Sequence, residues 1–187
     1  MKRVSARTLR RVLNLWPPFL FAGIRVLAVA DDFRHARVEL RMRPWNRNYV
    51  GTHFGGSLFA MTDPFWMLLV LNALGDGYIV WDQAGEIAFL KPGRGTVRAD
   101  FRLDDAVLDE LRAAAAGETG DRASGPGASL QEPAVAGAQR AAARSDGPVS
   151  VLPSGAVLRW FETDIVDAGG DTVARVRKQL YVRRKTR

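Results

Sequence analysis

Residues Gly51–Leu74 read GTHFGGSLFAMTDPFWMLLVLNAL. Glycines and a histidine open the run, which then turns mostly apolar on every side, with Asp63 as its single charge. A helix that is apolar all round belongs in an interior rather than on a surface. An acid inside it costs free energy unless it is paired, hydrogen-bonded or put to use. The stretch is therefore expected to be the central helix of a small domain, with Asp63 at its working point. Two uses compete for that acid. Pro64 follows it, and Asp at a cap with Pro at the first helical position is a common start signal, which would leave residues 51–62 as a separate turn-rich approach. Alternatively Asp63 is catalytic or faces a substrate, and both uses hold if the helix is kinked there.

Working outward, Gly75-Asp76-Gly77 stops the helix. Residues 78–90 are rich in aromatic and β-branched side chains and predict a long strand, bulged at Gly85. Residues 91–95 form a turn and residues 96–103 alternate cleanly, so these two strands are expected to pair as a hairpin. Upstream, residues 33–43 alternate as a strand with one wet face. Downstream, residues 104–116 predict a short helix capped by Asp104 or Asp105. Residues 117–153 lack Phe, Trp and Tyr and show no period, the composition of a disordered insertion. Two strands, 156–166 and 172–183, then flank the turn Asp167-Ala168-Gly169-Gly170-Asp171. The class is α+β, an antiparallel sheet wrapped around one long helix. Such a sheet keeps an open outer edge, so a homodimer or homotetramer that continues it across subunits is expected.

The chain divides on this reading into a helical extension, residues 1–30, and a main domain, residues 31–187. The extension is basic, with apolar positions at helical spacing over residues 2–14 and a break at Trp16-Pro17-Pro18. Residues 19–29 suit a second short helix or an apolar lead-in. The apolar run is too short to span a membrane, and the prolines within it argue against a signal peptide. It packs on the domain or touches a membrane surface peripherally, and the protein is expected to be cytoplasmic. A net charge of +7 suits anionic partners. No nucleic-acid motif accompanies that charge, so nucleic acid is not an expected partner. The absence of cysteine removes disulfides, thiolate metal sites and a cysteine nucleophile. With only His35 and His53 and no ligand spacing, no metal site is expected.

The element order resembles the hotdog fold. His53-Phe54-Gly55-Gly56 followed by Asp63 resembles the His-Gly-Gly…Asp pattern of phenylacetate-type acyl-CoA thioesterases, although Phe54 intervenes where that pattern has His directly before Gly-Gly. The run Ile87-Ala88-Phe89-Leu90-Lys91-Pro92-Gly93-Arg94-Gly95 resembles the segment that follows it in those families. The longer motif Asn46-Arg47-Asn48-Tyr49-Val50-Gly51-Thr52-His53-Phe54-Gly55-Gly56 is similar to an uncharacterised, thioesterase-like bacterial family known only as a domain of unknown function.

The resemblance implies an acyl-CoA thioesterase with Asp63 as general base or nucleophile, desolvated by apolar neighbours. The backbone of Gly55 and Gly56 would polarise the thioester carbonyl, and His53 or Asn48 would assist. Phe59 and Trp66 would shape the acyl pocket. Asp82 or Gln83 would reach across a dimer to the opposite site, and Lys91 and Arg94 would meet coenzyme A phosphates. No cofactor is implied beyond coenzyme A as part of the substrate. The competing reading is a non-catalytic hotdog module that binds acyl-CoA or acyl chains.

Overall fold

The structure, a computed structural model, describes residues 4–116 and 149–185. In chain order the elements are α1 (Ala6–Leu15), α2 (Pro17–Ala22), β1 (Ile24–Val29), β2 (His35–Arg41), a 3-10 turn at Pro44–Asn46, α3 (Gly55–Ala60), α4 (Phe65–Leu74), β3 (Tyr78–Phe89), β4 (Thr96–Arg102), α5 (Asp105–Ala116), β5 (Val149–Val151), β6 (Val157–Val166) and β7 (Thr172–Arg184). Residues 19–29, expected as a second helix or an apolar lead-in, contain the end of a helix, α2, and a strand, β1, parted by Gly23 in the left-handed region (φ 81°). Most of the expected insertion, residues 117–148, lies outside the described residues.

All strands pair antiparallel in one sheet of order β1-β2-β4-β6-β7-β3, and β5 shares with β4 the remaining edge of β6. The sheet wraps α4, whose Phe65, Trp66, Leu69 and Val70 are buried. Phe65 stacks on Phe101 of β4 at 5.0 Å and Trp66 on Phe161 of β6 at 4.8 Å. Each such side chain contributes roughly 1.5–3 kcal/mol by leaving water. Phe19 of α2, 6.1 Å from Phe65, ties the N-terminal helices to the same core.

One expected pairing is overturned. β3 and β4 do not form a hairpin: β4 lies between β2 and β6, while β3, among the described residues, pairs only with β7 at the far edge. The turn between them is a crossing instead. Leu90 and Lys91 donate backbone N–H bonds to Val173 O, His53 donates to Gly93 O, and Met42 donates to Gly95 O. These bonds carry residues 90–95 from the β3 edge across to β4 in the interior of the sheet. The β6–β7 hairpin is as expected, its turn closed by Asp167 Oδ1 accepting from the N–H groups of Gly169 and Asp171. The β3 bulge falls at Gln83 rather than Gly85.

Candidate functional site

The central stretch is two helices joined at Met61–Pro64, with Asp63 in the joint. Thr62 Oγ1 donates back to Phe59 O at 2.8 Å and Asp63 N–H reaches Ala60 O at 3.3 Å, so the first helix tightens before it stops. Pro64 precedes α4, and no side chain caps that helix. The cap use of Asp63 is therefore not taken. Its carboxylate turns to β7, where Lys178 Nζ donates to Oδ1 at 2.7 Å.

Lys178 is the residue that sequence reading missed. Its side chain is 5 % exposed, against 54 % for Asp63 and 27 % for Asp82. Strand parity explains the burial: Lys178 shares its face with Val176, Leu180 and Val182, all buried. The ammonium is 3.6 Å from Asp82 Oδ1 on β3 and 5.3 Å above the Phe59 ring centroid. Room for it comes from Gly85, its register partner on β3. A Cβ at Gly85 would lie 2.7 Å from Phe59 Cζ and 3.2 Å from Lys178 Cδ. Burial pushes the Asp82 carboxyl above the ordinary carboxylate range, opposed by the Lys178 charge and reinforced by that of Asp63. Asp63 is not enclosed by apolar neighbours as expected; it stands half-exposed on the rim, with Oδ2 making no hydrogen bond among the described residues.

A second cluster surrounds the start of α3. An open cavity of about 480 Å³ is lined by Asn48, Thr52, His53, Gly55, Phe89 and Lys91, among others. Asn48 organises its rim: Nδ2 donates to Thr52 Oγ1 at 2.7 Å and His53 O at 3.1 Å, and Oδ1 accepts from Thr52 N–H. His53 is 2 % exposed, and its Nε2 meets Gly95 O at 2.8 Å. A carbonyl can only accept, so Nε2 carries the proton. Burial lowers the His53 pKa and the bond to Gly95 O opposes the shift. The N–H groups of Gly55 and Gly56 have no hydrogen-bond partner among the described residues. Phe89 lies over Gly55, where a Cβ would come within 2.8 Å of its ring, and the Phe54 ring covers Gly56.

The loop that presents this cluster hangs on Asn46, which is 5 % exposed. Its Nδ2 donates to Ala22 O and Arg41 O, both at 2.8 Å, and its Oδ1 accepts from Arg43 N–H at 2.7 Å. Asn46→Ala leaves three backbone groups short of a partner and is expected to cost about 3 kcal/mol, read as a fall in Tm of about 10 °C. An unchanged melting curve would show that the loop is held elsewhere.

The remaining expected residues divide between these two clusters and the core. Asp63, Asp82 and Phe59 meet around Lys178, while Gln83 is the adjoining bulge residue. Lys91 Nζ is engaged by the Asp167 and Asp171 carboxylates. Arg94 is exposed and forms no ion pair among the described residues. Trp66 sits in the core, its Nε1 donating to Thr163 Oγ1 at 2.7 Å.

Three solved structures illustrate what this chain is similar to. A Pseudomonas aeruginosa protein of unknown function, PA5026, described as a probable thioesterase, superposes with a TM-score of 0.69 at 17 % identity, covering 97 % of each chain. The thioesterase HI1161 of Haemophilus influenzae gives 0.57 at 14 % identity, covering 98 % of this chain and 93 % of that one. The E. coli PaaI protein from the phenylacetic acid degradation operon gives 0.53 at 15 % identity, covering 96 % and 92 %. No curated protein matches the chain. The likeness establishes the fold as hotdog. Residues 5–123 match the model of the family described as Domain of unknown function (DUF4442), and the chain belongs to that family.

Proposed function

We infer that the protein hydrolyses acyl thioesters, with acyl-CoA as the substrate class, as a homodimer built on the open edge of β3. The observation that carries this reading is the Asp63 carboxylate. It is released from capping, anchored through Oδ1 by a buried ammonium, and left with Oδ2 free at the surface. Thioesterase descriptions of hotdog proteins with the same architecture support the reading.

In the proposed reaction Asp63 Oδ2 takes a proton from water as the water oxygen bonds to the thioester carbonyl carbon. The carbonyl electron pair moves to oxygen, where the N–H groups of Gly55 and Gly56 at the start of the partner's α3 receive it. Collapse of that intermediate breaks the C–S bond, and the coenzyme A sulfur leaves and takes up the proton that Asp63 accepted, which restores the carboxylate. Coenzyme A enters as part of the substrate and no further cofactor is needed.

The seven-residue step from Gly56 to Asp63 spans roughly 10 Å of helix, too far for both to reach one carbonyl within a single chain. β3 runs antiparallel beside α3, with Phe89 at Gly55 and Gly85 at Phe59. A second copy paired antiparallel along β3 exchanges these ends. It thereby brings the partner's α3 start towards Asp63, with Asp82 and Gln83 at the seam. Arg94, exposed on the crossing after Lys91, is the cation proposed to meet coenzyme A phosphate.

Purified protein offered acyl-CoAs of graded chain length, with released thiol read by a chromogenic reagent, is expected to turn over and to sediment as a dimer or larger. Saturable binding of the same panel without thiol release assigns the chain instead as a non-catalytic acyl-CoA-binding module.

A further inference from the structure

We propose that the N-terminal face of this protein docks on the surface of an anionic lipid bilayer. Residues 1–30 carry six cations, Lys2, Arg3, Arg7, Arg10, Arg11 and Arg25, and no acid. Such one-signed charge in an otherwise mixed chain marks an anionic partner.

The geometry shows how it is displayed. α1 lies along the edge strand β1 and turns Ala6 and Leu13 inward. Asn14 fixes it there, Nδ2 donating to Val26 O at 3.0 Å and Oδ1 accepting from Val26 N–H at 2.8 Å, and Arg10 adds a bond to Leu27 O. Arg7 and Arg11 are left exposed on α1, as is Arg25 on β1, and none of the three has an ion pair among the described residues. Arg10, Arg11 and Arg25 line an open cavity of about 350 Å³, a setting for phosphate headgroups.

The same N-terminal helices and the turn after β2 also carry large apolar side chains that are exposed among the described residues. Leu15 is 73 % exposed, Phe21 71 % and Trp45 69 %, and Trp16 and Leu20 are exposed with them. Trp45 Nε1 already donates to Phe21 O at 3.0 Å, so its ring can enter an interface without an unsatisfied donor. Cations whose stems lie along apolar surface, next to aromatic and aliphatic tips, form the composition that settles at the headgroup boundary.

Two further points select a bilayer over another protein copy. A two-fold contact through this face would set one predominantly cationic patch against its own image. The face also lies at the β1 edge, and β3 is the opposite edge of the sheet. Docking here leaves Asp63, Lys178 and the open strand clear, and the proposal does not depend on the thioesterase reading.

The test is flotation of the full chain with vesicles of phosphatidylcholine alone or mixed with phosphatidylglycerol. Wild type is expected to float with the mixed vesicles, weakly or not at all with phosphatidylcholine alone, and less as salt is added. Combined Arg7→Gln, Arg11→Gln and Arg25→Gln is expected to lower the partition coefficient about 100-fold. Leu15→Ser with Phe21→Ser is expected to lower it about 10-fold or more. Unchanged circular-dichroism melts show that each variant is folded. Wild type that stays unbound from mixed vesicles, or variants that float as wild type does, overturn the proposal. So does equal flotation on both vesicle types. Loss of self-association in the Leu15/Phe21 variant, with no vesicle binding by wild type, overturns it in favour of a second copy.

Discussion

Asp63→Asn is expected to lower kcat/KM for the proposed acyl-CoA hydrolysis by about 10²–10⁴-fold, the range that a positioned general base contributes. An amide is isosteric with the carboxylate and still accepts a bond from Lys178, but it cannot take a proton from water. The fold should barely register the change, because the Asp63 side chain is 54 % exposed and its ion pair is screened by solvent. The variant also separates the two uses that the residue order allows. As a helix cap, Asn serves about as well as Asp, so a capping residue would leave both turnover and Tm alone. Since α4 takes no side-chain cap, the expected split is lost turnover at an unchanged Tm. Retained hydrolysis in this variant would remove Asp63 from the mechanism.

Lys178→Met removes the cation and keeps most of the side-chain volume. The expected result is a loss of about 3 kcal/mol at neutral pH, the low end for breaking a buried pair, together with a fall in kcat. The loss comes mainly through Asp82, whose pKa burial already raises and the Lys178 charge holds down. The sign follows from that direction. As pH rises, the unfolded carboxyl ionises first, so a raised folded value makes the native state lose stability through the interval above the ordinary carboxylate pKa. Without Lys178 the interval widens. The difference in Tm between wild type and Lys178→Met should therefore be largest near neutrality and shrink on acidification, as Asp82 becomes protonated in both states. Adding Asp82→Asn should restore much of the stability without restoring turnover, because Asp63 still lacks its anchor. A pH-independent difference in Tm would mean that Lys178 acts through packing alone.

Much of the fold was legible from residue order because local periods report burial directly. The apolar run after Pro64, the alternation of residues 96–103 and the glycine turn before β7 all became the elements they predict. Strand pairing was less legible. Residues 78–90 and 96–103 have the form of a hairpin, yet their hydrogen bonds go to β7, β2 and β6, because the helix between the sheet's two sides must be enclosed. Turn residues announce a change of direction but not the partner strand.

The site was half legible. Gly55, Gly56, His53, Asn48 and Asp63 stand within one motif, and the structure gathers Gly55, His53 and Asn48 around one cavity. Lys178 lies more than a hundred residues from Asp63 and carried only a weak signal, a lysine at an inward-facing position between Val176 and Leu180. Asn46 belonged to the motif that suggested the family, but its work of holding Ala22, Arg41 and Arg43 depends on where those backbones meet.

Sequence alone determined that a helix apolar on all sides must be buried, that a sheet must surround it, and that one acid would stand at its joint. Those conclusions follow from periodicity and from the cost of an unpaired charge among apolar residues. Only tertiary structure decided where that carboxylate points. The choice between capping α4 and meeting Lys178 depends on the register of β7 against β3 and on the absence of a side chain at Gly85, and contacts so distant in the chain leave no local pattern.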